Sequence, residues 1–351
     1  MGVYLLATSL VALLAVASAV RPPYWGGTPL TLGLAAAGIF LFVGFREDVG
    51  ADWQRYRDIY YHISVIRPFS DGLSTDFGFY LLNWAAAASS IGFYGVTAFC
   101  AAALAWGLVS FAKQTAYPWV CLTIAMPHVV NVMAMDHIRQ STALGFSLLG
   151  MANLLRGRTL ACIILLVVAC SFHKSAVVLL PLVAAASNRS RMTTYLCSFG
   201  FVVAFYFLVL ADTASVYEAR YIRREYGARA STLRLLQNIP PALIYLAIWR
   251  RIGMRVEARY FWFLLSLCAF VLPLLLLVVP SSAAIDRLGK FIIPLQMFIY
   301  SQMLVLLTDG VLYRLFVVVL LCVYCLMYQG AWFHFSEIAD EFWIPYGTIL
   351  F

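Results

Sequence analysis

Two short polar segments interrupt stretches that are otherwise apolar enough to lie in lipid: DHIRQSTA, from Asp136 to Ala143, and SFHKSA, from Ser171 to Ala176. An arginine at membrane depth costs about 2.5–3.5 kcal/mol on an insertion scale, so its presence there is a functional hypothesis by default. Arg139 offers a planar donor fork that suits phosphate oxygens, with Asp136 and Gln140 beside it. Ser175 reads as an N-cap, which would aim the free N–H groups of the next half-helix, flanked by His173 and Lys174, at an anion. The plainer readings are an ion pair of Arg139 with Asp136 at a helix end, an arginine snorkelling to the interface, and His173 and Lys174 marking a helix end.

Three further segments carry chemistry. The stretch from Phe45 to Asn83 combines Arg46, Asp52, Tyr56 and Asp76 with Trp53; carboxylates and aromatic rings together suit carbohydrate, whereas single tyrosines there also read as ordinary interfacial belt residues. Residues 217–234 carry Arg220, Arg223 and Arg224 near one helical face. They read either as an interfacial amphipathic helix on anionic lipid or as a phosphate-gathering lid. The last segment is DRLGK, with Asp286, Arg287 and Lys290. No P-loop, G-x-G-x-x-G turn or H-E-x-x-H is present, and the nine-residue spacing of His128 and His137 fits no common metal pattern. Neither a cofactor nor a metal is expected.

The elements that must position these residues are membrane helices. The chain is 63% hydrophobic and 11% charged, with a mean hydropathy of +0.87, against about 25% charged residues in soluble domains. Apolar runs near the ~20 residues that a bilayer requires fall at 3–20, 28–45, 79–111, 117–134, 138–155, 193–211, 234–249, 259–279, 290–308 and 312–330. Only helices or closed barrels satisfy the backbone in lipid, and these runs are too long and unalternating for strands. The expected fold is therefore all-α and polytopic, a single domain over residues 1–351 with 11–12 spanning segments. The apolar N-terminus, followed rather than preceded by Arg21, reads as a first spanning helix and not a cleaved signal. The eight cysteines lie almost wholly in apolar runs and imply no disulfide framework.

The stretch 159–187 is either one long helix or two short ones meeting at His173. Charge favours the hairpin. With it, one side of the membrane receives eleven Lys and Arg against two acids, and the other thirteen against fourteen. The first side is cytoplasmic by the positive-inside rule, so the net charge of +8 reflects membrane anchoring rather than nucleic-acid binding. The outer loops, about 46–78, 212–233 and 280–290, then open on the same face as the two polar breaks, around one outward-facing polar cavity.

Taken in order, Arg46 with GADWQRY, DFGFYLLN, HIRQSTA, FHKSA and DRLGKF resemble the EpsG/Wzy family of bacterial exopolysaccharide and O-antigen polymerases. The resemblance covers about residues 40–300. It departs at Asp76-Phe77-Gly78, where the family pattern is led by Glu. It implies a multispanning glycosyltransferase at the outer face of the inner membrane that joins oligosaccharide repeats carried on undecaprenyl diphosphate, with a chain-length regulator as a partner. A lipid diphosphate leaving group calls for preorganised cations, and the acceptor hydroxyl needs a base within hydrogen-bond reach. Arg139, His173 and Asp52 are accordingly the expected catalytic residues, with the base either Asp52 or His173. Substrate contacts are expected from Arg46, Tyr56, Asp76, Asp136, Gln140, Lys174, Ser175, Arg220, Arg223, Arg224, Arg287 and Lys290. Rival readings are a lipid-linked oligosaccharide flippase, an O-antigen ligase and a membrane acyltransferase.

Overall fold

A computed structural model describes residues 1–24, 27–65, 76–187, 231–277, 282–306 and 310–350. Among these residues six helices are long and apolar enough to cross a membrane, Gly2–Ala19 (α1), Phe93–Ala112 (α5), Pro118–Asp136 (α6), Val256–Leu275, Ala284–Leu306 and Val311–Phe335. Three shorter apolar helices, Pro29–Gly44 (α2), Thr159–Phe172 (α8) and Lys174–Ser187 (α9), join them. In chain order the remaining helices are Trp53–Val65 (α3), Phe77–Ala88 (α4), Ile138–Leu155 (α7), Ile239–Ile248 (α10), Val256–Leu275 (α11), Ser282–Gly289 (α12), Ile293–Leu306 (α13), Val311–Phe335 (α14) and Glu337–Phe342 (α15). The protein is thus all-α and polytopic, as its composition requires.

Helix α6 is the axis of the bundle and is buried along its whole length. Pro127 lacks the N–H that an α-helical turn would use, and Met126–Met133 is wound as a π-helix, a feature often found at functional sites. Helices α1, α13 and α14 pack on α6, and α5 packs on α2 and α7. The α5–α7 crossing depends on two glycines: a Cβ on Gly145 would stand 2.6 Å from the Ala103 carbonyl oxygen, and one on Gly107 would strike the Gly145 backbone. Small residues that let backbones touch are the usual means of helix association in lipid.

The stretch 159–187 is broken at His173, whose extended backbone (φ −157°, ψ 120°) separates α8 from the 3₁₀ turn Lys174–Val178 that opens α9. Two short helices therefore meet at a polar turn, the arrangement that charge favours. The run 79–111 differs from expectation, because Ser90 (φ 57°) and Gly92 (φ 83°) turn the chain between α4 and α5. Only α5 is long enough to cross. Helix α4 pairs with α3 at the end of the bundle where α5 begins, and there the Thr97 hydroxyl donates to the Gly44 carbonyl at 2.7 Å.

The two ends of the bundle differ in character. At one end Arg314 Nε donates to the Ala19 carbonyl (2.7 Å) and Tyr24 N to the Ala116 carbonyl (2.7 Å). Arg21, Lys113, Arg156, Arg158 and Arg255 belong to this end by helix direction. At the other end the chain after α14 folds back as a strap. Arg46–Glu47 pairs antiparallel with Gly347–Thr348, Gly50 N donates to the Phe342 carbonyl (2.8 Å), and Trp343 is fully buried with its indole N–H on the Asn131 carbonyl (2.9 Å). All the polar breaks that the structure describes open at this strapped end.

Candidate functional site

The site begins with a seat for the loop between α2 and α3. Arg46 is fully buried and runs against expectation as a substrate contact. Its guanidinium donates to the carbonyls of Val43 (2.6 Å), Val49 (3.2 Å) and Met135 (2.9 and 3.1 Å) and lies 4.8 Å from the centre of the Trp53 ring. It fastens the loop to the end of α6. Gly50 allows the same contact, since its φ of +103° suits glycine and a Cβ there would meet the Met135 carbonyl.

So seated, Asp52 N donates to Asp136 Oδ1 at 2.8 Å, and Asp136 Oδ2 lies 3.1 Å from His137 Nδ1. Asp136 is buried and its Oδ1 is engaged by the loop, so it positions Asp52 from behind. The Asp52 carboxylate is half-buried and accepts no hydrogen bond among the described residues.

A second cluster joins the DFG, HIRQ and FHKS motifs. Arg139 Nη1 donates to Asp76 Oδ2 at 3.0 Å, and Lys174 N donates to Asp76 Oδ1 at 3.4 Å. The guanidinium rests against Tyr56 and Phe79, 5.8 and 5.9 Å from the ring centres, while its Nε is buried with no partner among the described residues. Burial pushes the Tyr56 phenol up to about 12, so it stays protonated beneath Arg139. Burial also raises the Asp76 carboxyl, although Arg139 and the Lys174 N–H pull the other way. Gly78 permits the juxtaposition: a Cβ there would lie 3.0 Å from the Ser171 backbone and closer still to its hydroxyl.

The FHKS turn is capped differently from the sequence expectation. His173, not Ser175, is the N-cap, and its Nδ1 accepts the Ser175 N–H at 3.2 Å. The Ala176 N–H goes to the His173 carbonyl at 3.0 Å, and the Lys174 N–H goes to Asp76. The first N–H groups of the half-helix are therefore already engaged by the protein. Because Nδ1 is an acceptor, the neutral imidazole carries its proton on Nε2 and is a donor there.

The DRLGK turn closes the site. Gln140 Nε2 donates to the Arg287 carbonyl (2.7 Å), and Lys290 Nζ donates to Gln140 Oε1 (3.3 Å). Asp286 holds Arg234 Nε at 2.7 Å and lies 3.7 Å from Lys290 Nζ. Gln140 and Lys290 are buried braces. Arg287 lies within electrostatic reach of both His173 and Asp76.

Of the expected site residues, Arg46, Tyr56, Asp136, Gln140, Ser175 and Lys290 are buried and hold the site from behind. Asp52, Asp76, Arg139, His173, Lys174 and Arg287 remain partly or fully accessible at its surface. Arg220, Arg223 and Arg224 lie outside the described residues. Sequence reasoning missed the strap around Trp343 and the partly buried position of His128. His128 lines a cavity of about 30 Å³ with Arg234 and Tyr328, one step from Asp286; the only signal was Pro127 inside an apolar run. Among the described residues no group of His, Cys, Asp and Glu could hold a metal ion.

A multispanning helical protein with a cationic cluster and an open carboxylate at one end is the class defined by this fold and site. The EpsG family model matches residues 30–348, and the chain belongs to the EpsG family, whose members have a polysaccharide-polymerase type of role. Nothing matches among curated proteins or solved structures.

Proposed function

We propose that the protein polymerises oligosaccharide repeats carried on undecaprenyl diphosphate, at the outer face of the inner membrane. The observation that carries this reading is the convergence of Arg139, the Lys174 N–H and Arg287 on one anion position, beside the FHKS turn, with an Asp52 carboxylate that accepts no hydrogen bond among the described residues. In the proposed reaction Asp52 removes the proton of the acceptor hydroxyl. The oxygen attacks the anomeric carbon of the donor, and the bond from that carbon to the diphosphate oxygen breaks with its electron pair. Arg139, Arg287 and the His173 Nε2–H stabilise the departing diphosphate. The geometry favours His173 as a donor and Asp52 as the base. A one-step displacement inverts the anomeric centre. Arg220, Arg223 and Arg224 are proposed to gather the lipid phosphate before it reaches Arg139.

Analysis of surface glycan in a deletion strain tests the function. Loss of a polymerase leaves glycan capped with a single repeat. Total loss of surface glycan would indicate a flippase instead, and full-length polymer that fails to attach would indicate a ligase. Complementation with the intact gene should restore long chains.

The side of the membrane rests on the concentration of basic residues at the end away from the site. In a variant lacking the native cysteines, Gln54→Cys should react with an impermeant thiol reagent on intact spheroplasts. Arg158→Cys should react only after permeabilisation. The reverse pattern would place the site in the cytoplasm and remove the lipid-linked donor from its reach.

A further inference from the structure

Asp76 stands at the N-cap of α4 yet accepts no hydrogen bond from that helix. An Asp at this position ordinarily satisfies an N–H of the first turn. Here the carboxylate turns away and lies between Arg139 Nη1 (3.0 Å) and the Lys174 N–H (3.4 Å), with Arg287 also acting on it. A guanidinium, a backbone N–H at the start of a half-helix and a further cation are the contacts that an anionic ligand would seek. The protein's own carboxylate occupies that position, while Arg139 Nε is left buried without a partner among the described residues.

Resting on the proposal that the lipid diphosphate binds at Arg139, we infer that Asp76 is an internal placeholder anion. It keeps Arg139 and the Lys174 turn in position when no donor is bound and leaves when the diphosphate arrives. Its alternative resting place is the first turn of its own helix, which its side chain leaves uncapped. The exchange makes the site selective: a ligand must bring enough negative charge to displace a carboxylate, so a diphosphate enters and a singly charged group does not. It also discharges the site after turnover, because the returning carboxylate competes with the diphosphate product.

The test is binding of inorganic diphosphate to the full-length protein in nanodiscs, measured calorimetrically. If the placeholder fills the site nine-tenths of the time, it weakens apparent affinity by about tenfold. Asp76→Asn should therefore bind diphosphate about tenfold more tightly than the native protein. Asp76→Ser should do the same, and because serine is a good N-cap it keeps α4 intact even if the asparagine variant folds poorly. Asp76→Glu, which retains the charge, should stay near native affinity, and Arg139→Ala should bind least. Unchanged or weaker binding by both neutral variants, with Arg139→Ala still impaired, would overturn the placeholder role and leave the diphosphate site standing. Absence of binding by every protein, the native one included, would overturn the diphosphate reading of the pocket and this inference with it.

Discussion

Arg139→Lys is expected to lose polymer almost as completely as Arg139→Ala. Removing one preorganised donor from developing negative charge costs about 10²–10³ in rate. Lysine retains the charge but cannot present a planar fork of donors to a diphosphate while lying flat against Tyr56 and Phe79. An arginine that served only as counter-ion to Asp76, or that snorkelled to the interface, would be rescued by lysine. The measurement is surface polymer length in a deletion strain carrying each variant, with the amount of inserted protein followed in parallel. Full-length polymer from the lysine variant would confine Arg139 to a structural role. So would loss of the protein itself in the alanine variant.

Asp52→Asn is expected to lower turnover by about 10²–10⁴, the usual worth of a positioned general base, while donor binding is retained. The substitution is a clean one here, because the contact that seats residue 52 is its backbone N–H to Asp136 and survives the change. Turnover of lipid-linked oligosaccharide by the purified protein, with kcat and KM separated, reads the effect. A KM near the native value with kcat collapsed supports the base. Native kcat in the asparagine variant would move proton removal to another group, and an intact acid limb in its pH–rate profile would say the same.

The polar breaks were legible in the sequence because hydrophobic context makes each charge conspicuous, and DFG, HIRQ, FHKS and DRLGK do meet at one end of the bundle. The sequence could not say which way each side chain faces. Arg46 and Arg139 look alike in an apolar run, yet one spends its donors on three backbone carbonyls and the other keeps Nε unengaged. The cap at the FHKS turn was misassigned for a related reason. Serine is the commoner N-cap, but the extended backbone of His173 places its imidazole nitrogen over the Ser175 N–H first. The break between α4 and α5 was hidden because Ser90 and Gly92 sit in a stretch whose average hydropathy barely falls. The strap was invisible because its meaning depends on partners some 300 positions away, and nothing local to Trp343 or Gly347 announces them.

That strap has a consequence for how the protein is made. Glu47 is joined to Gly347, and Gly50 to Phe342, so the loop that carries Asp52 depends on residues synthesised roughly 300 positions later. Chains emerge from the ribosome N-terminus first, and contacts so distant in sequence form late. A nascent chain can insert its early helices while the loop that carries Asp52 still lacks its fastening. Competence is thereby deferred until residues 342–348 have been made, and a chain that has inserted only its early helices does not yet hold the Asp52 loop in place.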